Sequence, residues 1–261
     1  MNKDELIDKI TEQVMLKLNE KSGLKNVPNQ EKQNILPIPL DELAKYIDHT
    51  LLKPDSTAEQ FDQLCKEALM YKFKSVCVNS SWVSYVSKKL RGSDIIVCSV
   101  VGFPLGGMDS RSKAFETQNA IENGAKEIDM VINIGALKSG NLKLVEEDIR
   151  AVRRASRANT ILKVIFETNL LTENEKILAC EISKKAGADF VKTSTGFSGG
   201  GATVEDVILM RRIVGPTMGV KASGGIRDYN SAVALIKAGA NRLGCGASVA
   251  IMTGATSKGN Y

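Results

Sequence analysis

The chain has 261 residues, 43% of them hydrophobic and 25% charged, with a formal net charge of +5. This is soluble globular composition, with enough apolar side chains for a sizeable core. It excludes a membrane span, because no apolar run approaches the roughly 20 residues required, and aromatics at 5% with unclustered basic residues argue against nucleic-acid binding.

Residues 1–21 place Leu6, Ile7, Ile10, Val14 and Leu18 at three- and four-residue steps, with Met15 and Leu16 widening the stripe. The spacing predicts an amphipathic helix, with Asp and Glu early, where the helix dipole favours them. This N-terminus has no apolar core of a signal peptide. Residues 22–39 carry three of the six prolines among largely polar neighbours and read as a linker. Six Lys balance six Asp plus Glu up to Leu36, so the net charge belongs to the rest of the chain.

From about Leu40 the pattern changes, and a domain is expected over 40–254 with a tail at 255–261. Eight β-rich runs occur at 45–50, 74–79, 94–102, 127–133, 160–168, 189–195, 218–225 and 242–248. Helical segments are expected at 58–71, 110–123, 142–156, 173–186, 204–214 and 229–238. Alternation repeated eight times predicts an α/β fold, a (β/α)8 TIM barrel, with a doubly wound open sheet as the alternative. A weak repeat supports it: Gly124-Ala125, Gly187-Ala188 and Gly239-Ala240 each stand between a helix and a strand, where glycine suits a helix C-cap. No GxGxxG or Walker pattern appears, so no nucleotide cofactor is indicated.

Polar residues inside these runs are the candidates for chemistry: Asp48, Asp129, Lys163, Glu167, Lys192 and Lys221. Alternation points every second strand residue into the barrel, and active sites lie at the C-terminal strand ends. A free lysine, with a pKa of about 10.4, is neutral in roughly one molecule in 2,500 at pH 7. Bringing that value down by about 3 disfavours the ammonium by roughly 4 kcal/mol, which a second lysine and a dry barrel mouth can supply. Lys192 and Lys221 are expected at the ends of adjacent strands six and seven, close together, with Asp129 able to exchange protons with them. Two lysines and an aspartate suit Schiff-base carbonyl chemistry. The alternative is that both lysines are ordinary ion-pair partners of Asp129 and Glu167. Lys163 is expected in a structural salt bridge nearer the barrel bottom, and Glu167 is expected to position or charge-balance the lysines. Asp48 and Thr50 either contact substrate or tie down strand one.

There is one histidine, His49, of opposite strand parity and expected to face the helices. That scarcity argues against a zinc aldolase, so no metal is expected. Cys65, Cys77, Cys98, Cys180 and Cys245 are scattered without a C-x-x-C pair, as for reduced cytoplasmic thiols. Gly196, Gly199–Gly201, Gly224, Gly225, Gly244 and Gly246 cluster after runs six to eight. Backbone amides there are expected to cradle a phosphate, with tight-turn geometry as the alternative.

YIDHTLLKP, GFPLG, EIDMVINIGALKSG, KTSTGF with GGAT, and MGVKASGGIR occur in order. Together they resemble the deoxyribose-phosphate aldolase family from about Leu40 to Met252. The resemblance implies a metal-free class I aldolase that reversibly cleaves 2-deoxy-D-ribose 5-phosphate to acetaldehyde and D-glyceraldehyde 3-phosphate, with no cofactor, in deoxyribonucleotide and carbohydrate catabolism. It implies Lys192 as the Schiff-base nucleophile, Lys221 as the group that depresses its pKa, and Asp129 as the proton shuttle. Asp48, Thr50, Thr193 and Thr195 match positions lining the substrate site, and Gly224 and Gly225 match phosphate-binding backbone. The rivals are another Schiff-base or transaldolase-like barrel, and a non-catalytic phosphate-binding barrel acting in assembly.

Two departures stand out. The family usually carries Gly-x-Ser-Ser after strand eight, whereas here Gly246 and Ala247 hold the serine positions and Ser248 comes one step late. Hydroxyl donors are lost, which predicts weaker phosphate dependence. Asn79-Ser80-Ser81 replaces a common Asn-Pro. Residues 1–21 are similar to encapsulation peptides that direct enzymes into bacterial microcompartments, which implies a shell or cargo partner and a cytoplasmic or microcompartment location. The alternatives are a helix packed on its own barrel, an oligomerisation arm of a homodimer, or a disordered leader. The stripe is not basic enough to favour a membrane surface.

Overall fold

The computed structural model describes residues 38–256, all within one compact unit, Ile38–Tyr261. The helix expected over 1–21 lies outside the described residues, as does the linker over 22–39 except for Ile38 and Pro39. Ile38 packs against the core and its carbonyl accepts from Tyr229 Oη at 2.8 Å. The C-terminal tail is described only to Thr256.

Eight parallel strands close a barrel in chain order: β1 Ile47–Leu51, β2 Ser75–Val78, β3 Ile96–Val101, β4 Glu127–Val131, β5 Ile161–Ile165, β6 Phe190–Lys192, β7 Gly219–Ser223 and β8 Arg242–Cys245. The doubly wound alternative is thereby set aside, since β8 pairs back onto β1 through Ile47↔Leu243 and Asp48↔Gly244. The helices are α1 Leu40–Ala44, α2 Ala58–Tyr71, α3 Val83–Lys89, α4 Ser110–Glu122, α5 Ile134–Lys138, α6 Leu142–Ala155, α7 Glu173–Lys185, α8 Val204–Val214, α9 Tyr229–Lys237 and α10 Ser248–Thr253. All six helices expected within residues 40–254 are present, each end within one residue. The short ones, α1, α3, α5 and α10, span too few turns for a 3.6-residue pattern to show.

Strand parity sorts the side chains. On β4, Ile128 and Met130 join the apolar layer under the helices, while Glu127 and Asp129 turn inward. The helices bring their own stripes to that layer, such as Val145, Ile149 and Val152 on α6. His49 faces this layer too, as expected, with Nε2 2.7 Å from Glu67 and Nδ1 3.0 Å from the Ser248 hydroxyl.

The Gly-Ala repeat has a common cause. At each site the glycine N–H bonds back to the third residue before it, and the alanine N–H to the fifth, as in Gly124→Ile121 and Ala125→Ala120. These paired bonds are the Schellman closure of α4, α7 and α9, and they need the positive φ of Gly124, Gly187 and Gly239 (114°, 85° and 114°). The stop is therefore written locally, and each following strand starts in the same phase.

Candidate active site

Inward parity collects charged side chains that would be costly alone. Asp48, Glu127, Asp129, Lys163, Lys192, Lys221 and Arg242 are all nearly or fully buried. In the lower tier, Arg242 grips Asp48, donates to Glu127 at 3.0 and 2.8 Å, and reaches Ser75 at 3.2 Å. Lys163 donates to Glu127 at 2.5 Å and to Asp129 Oδ1 at 2.8 Å, so it joins the two tiers rather than staying at the bottom.

The upper tier centres on Asp129. Its Oδ2 accepts from Lys192 at 2.8 Å and Lys221 at 2.7 Å, and Lys221 Nζ also lies 2.5 Å from Asp48 Oδ2 as an ion contact. The lysines meet because β6 and β7 pair Lys192↔Lys221 directly. Lys192 ends β6 as expected, whereas Lys221 stands in the middle of β7, deeper than its expected terminal position. Burial alone would raise the Asp129 carboxyl, but Lys163, Lys192 and Lys221 outweigh it and hold it well below the usual carboxylate range. Burial would likewise lower Lys221, yet Asp129 and Asp48 hold it well above the usual lysine range. Asp129 and Lys221 therefore form a charged pair at neutral pH.

Above it opens a cavity of about 520 Å3. Of the expected residues, Thr50, Lys192, Thr195, Gly196, Gly224, Gly225, Gly244 and Gly246 line it. Asp129, Lys221 and Asp48 lie in the buried network beneath. Asp48 does not line the cavity, because both its oxygens are taken up by Arg242 and Lys221. Thr193 does not line it either: with opposite parity to Lys192, its hydroxyl donates to Ser223 O and accepts from Ser223 N, both at 3.0 Å, stitching β6 to β7. Ala247 sits behind Gly246 as the N-cap residue of α10, outside the lining. Ser248 is no substitute for the lost hydroxyls, since its own is buried and donates to Cys245 O at 2.9 Å.

The glycines allow close backbone approach. A Cβ on Gly201 would stand 2.5 Å from Gly224 O, where Ala202 N now donates to that carbonyl at 3.0 Å. This brings the loops after β6 and β7 into contact along the cavity wall. Sequence reasoning did not single out Leu52, Ser223, Ile226, Arg227 and Cys245, which also line it. Arg227 had a readable signal, the only basic residue in the glycine loop after β7. Arg242 had another, an arginine that opens a strand with inward parity.

Glu167 does not balance the lysines. Its φ of 59° breaks strand parity, and its carboxylate instead accepts from Thr195 N, Thr195 Oγ1 and Ser198 Oγ. Cys77, Cys98 and Asp129 form the one group of at least three cysteine or acidic residues, among those described, whose ligand atoms lie within 4.8 Å of one another. A divalent cation does not fit it, because three ammonium groups already occupy Asp129 and would repel the ion.

Known proteins resemble this chain along most of its length. Residues 42–254 match the family described as DeoC/LacD family aldolase. A deoxyribose-phosphate aldolase of Streptococcus gordonii is 65% identical over 220 residues, covering 84% of this chain and all of that protein. One from Geobacillus sp. is 59% identical, covering 85% of this chain and 99% of its own. The structure of a tetrameric deoxyribose phosphate aldolase from Aeropyrum pernix superposes with a TM-score of 0.77 at 34% identity, covering 82% of this chain and 91% of that one.

Proposed function

This chain belongs to the DeoC/LacD family of aldolases, and from that membership we infer that it reversibly cleaves 2-deoxy-D-ribose 5-phosphate to acetaldehyde and D-glyceraldehyde 3-phosphate through a lysine Schiff base. The observation that carries the assignment of the nucleophile is that, of the three lysines on Asp129, only Lys192 lines the cavity. In this reading Lys192 Nζ attacks the open-chain aldehyde carbon and loss of water leaves an iminium. Asp129, directly or through a water, takes the proton of the C3 hydroxyl. The C2–C3 bond breaks, its electron pair passes to the iminium nitrogen, and C3 leaves as the aldehyde of glyceraldehyde 3-phosphate. The enamine left on Lys192 is protonated at carbon and hydrolysed to acetaldehyde. Lys221 shares Oδ2 with Lys192, so its charge stands beside the attacking amine, and of the two only Lys192 reaches the cavity floor.

Borohydride trapping with acetaldehyde, followed by peptide mapping, tests this. An ethyl adduct is expected on Lys192 and none on Lys192→Ala. A folded wild-type protein without an adduct would favour a non-catalytic phosphate-binding barrel.

The phosphate end is read as Gly201, Gly224, Gly225 and Gly246 backbone with the exposed Arg227 cation, all on the cavity wall. Without hydroxyls at 246 and 247, phosphate dependence is weaker than in a Gly-x-Ser-Ser loop. A kcat/KM preference of many thousandfold for the 5-phosphate over deoxyribose would rule this out.

Residues 1–21 are read as a docking segment for a microcompartment shell or cargo protein. Their apolar stripe supports this, as does the start of the family match at residue 42. A reporter carrying residues 1–21 should then co-localise with shells, and a diffuse reporter would remove the idea. Among the described residues no helix is long and apolar enough to cross a membrane. Self-association as a homodimer is a separate expectation, and a monomer by sedimentation would remove it.

A further inference from the structure

We propose that Glu167 is a positioning residue that clamps the 195–201 loop over the cavity, setting affinity for the phosphorylated sugar without entering the carbonyl chemistry. This rests on the proposed function, in which that cavity takes a phosphorylated sugar.

Glu167 and Lys72 are the two non-glycine residues with positive φ among those described, at 59° and 55°. Lys72 is a helix C-cap, where the left-handed conformation is ordinary. Glu167 follows β5 beside the cavity, where a strained backbone must be over-determined by its surroundings. The ladder shows how. Phe166 N donates to Lys192 O at 3.0 Å, and Thr168 N donates to the very next carbonyl, Thr193 O, at 3.1 Å. Two residues on the β5 side thus oppose one on the β6 side, and Glu167 is the extra residue of a bulge. A bulge turns a side chain off its strand phase. Without it, inward parity would aim Glu167 over the lysines, and with it the carboxylate swings to the loop after β6.

There it is fully buried and accepts from Thr195 N at 3.3 Å, from Thr195 Oγ1 through a short contact, and from Ser198 Oγ at 3.1 Å. None of the ion pairs among the described residues includes it. Both its buried oxygens find their donors in the loop, so the loop must stay in place to satisfy them. Asn169, two residues on, adds a second grip: its Nδ2 donates to Ser198 O at 2.8 Å, and a Cβ on Gly200 would collide with its side chain. The clamped loop supplies Thr195, Gly196 and Gly199–Gly201 to the cavity wall. Lys192, by contrast, is held from below by Asp129.

This separation gives the test. With the full chain, KM and kcat for 2-deoxyribose 5-phosphate are measured beside the rate of borohydride-trappable adduct formation with acetaldehyde, which needs no phosphate contact. Glu167→Gln cannot satisfy three donors with one oxygen, and KM should rise about tenfold or more while acetaldehyde trapping stays within about twofold of wild type. Ser198→Ala removes one donor at a half-buried loop position and should raise KM by about threefold, an effect that disappears in the Glu167→Gln background. An unchanged KM in Glu167→Gln, or additive effects in the double variant, would overturn the inference. So would trapping that falls in step with kcat/KM, since Glu167 would then act on the lysine centre. If wild type itself forms no adduct, the activity reading fails and this inference falls with it.

Discussion

Two sets of buried charges in this protein have opposite electrostatics. In the barrel centre, Asp129 meets three ammonium groups, and Asp48 meets Lys221 and Arg242. In the helix layer, Lys113 of α4 meets only Asp148 of α6, at 2.6 Å, with one further bond to Val131 O at 2.9 Å. Asp148 Oδ1 has no hydrogen-bond partner, and neither has Asp48 Oδ2 in the centre, although Lys221 Nζ lies 2.5 Å from the latter. Lys113 and Asp148 are as buried as the central groups. Burial nevertheless wins in the pair: it pushes Lys113 down and Asp148 up, against their mutual attraction. In the centre attraction wins, and Asp48, Glu127 and Asp129 are lowered while Lys163, Lys221 and Arg242 are raised. Depth therefore does not decide whether a buried ion is comfortable. The number of counter-charges around each ion decides it.

The largest expected effect comes from breaking the centre. Lys221→Met removes a cation that both Asp129 and Asp48 use, and single-turnover cleavage should slow by at least about 100-fold. A variant with near wild-type turnover would show that the shared carboxylate is not part of the chemistry. Next comes a double-mutant cycle on the outer pair. Lys113→Met or Asp148→Leu alone should cost about 3–5 kcal/mol in urea unfolding, whereas the double variant should return to within about 2 kcal/mol of wild type. The matched central cycle, Asp48→Leu with Arg242→Met, should show no such recovery, because Lys221 and Glu127 lose partners in both singles. Equal recovery at both sites would erase the distinction.

The smallest effect is on pH. Lowered carboxylates contribute stability that is complete above the ordinary carboxylate range, about 4, and is lost as pH falls through their lower folded values. Raised lysines contribute below about 10.4, and this is lost as pH rises through their higher folded values. Urea midpoints should therefore be flat from about pH 5 to 9 and fall on the acid side. In the Lys113→Met/Asp148→Leu double variant the acid limb should persist and steepen, because a raised Asp148 regains stability as pH falls and that offset is gone, and an acid limb that vanishes with the outer pair would place it there instead.

Much of the fold was legible because its signals are local. The periodicity of the six helical segments and the three Gly-Ala stops depend on residues within a turn or two of one another. The positions of Lys192 and Asp129 follow from strand parity alone. Other parts needed contacts between distant residues. Asp48 by its inward parity and Thr193 by its motif suit a substrate site, yet their polar atoms are consumed by Arg242, Lys221 and Ser223. Glu167 leaves its strand phase because of a bulge against β6, which no spacing in its own run announces.

By itself, the sequence determined the alternation of eight strands with helices, the points where helices stop, and most of the charged residues that face inward. These are properties of neighbours along the chain, governed by backbone sterics and periodicity. Only the closed barrel decided which lysine reaches the cavity, which aspartate is used up beneath it, and which carboxylate turns away to hold a loop. Those outcomes depend on register between strands and on how counter-charges are shared out in a space without water, where a partner from another strand outweighs any local preference.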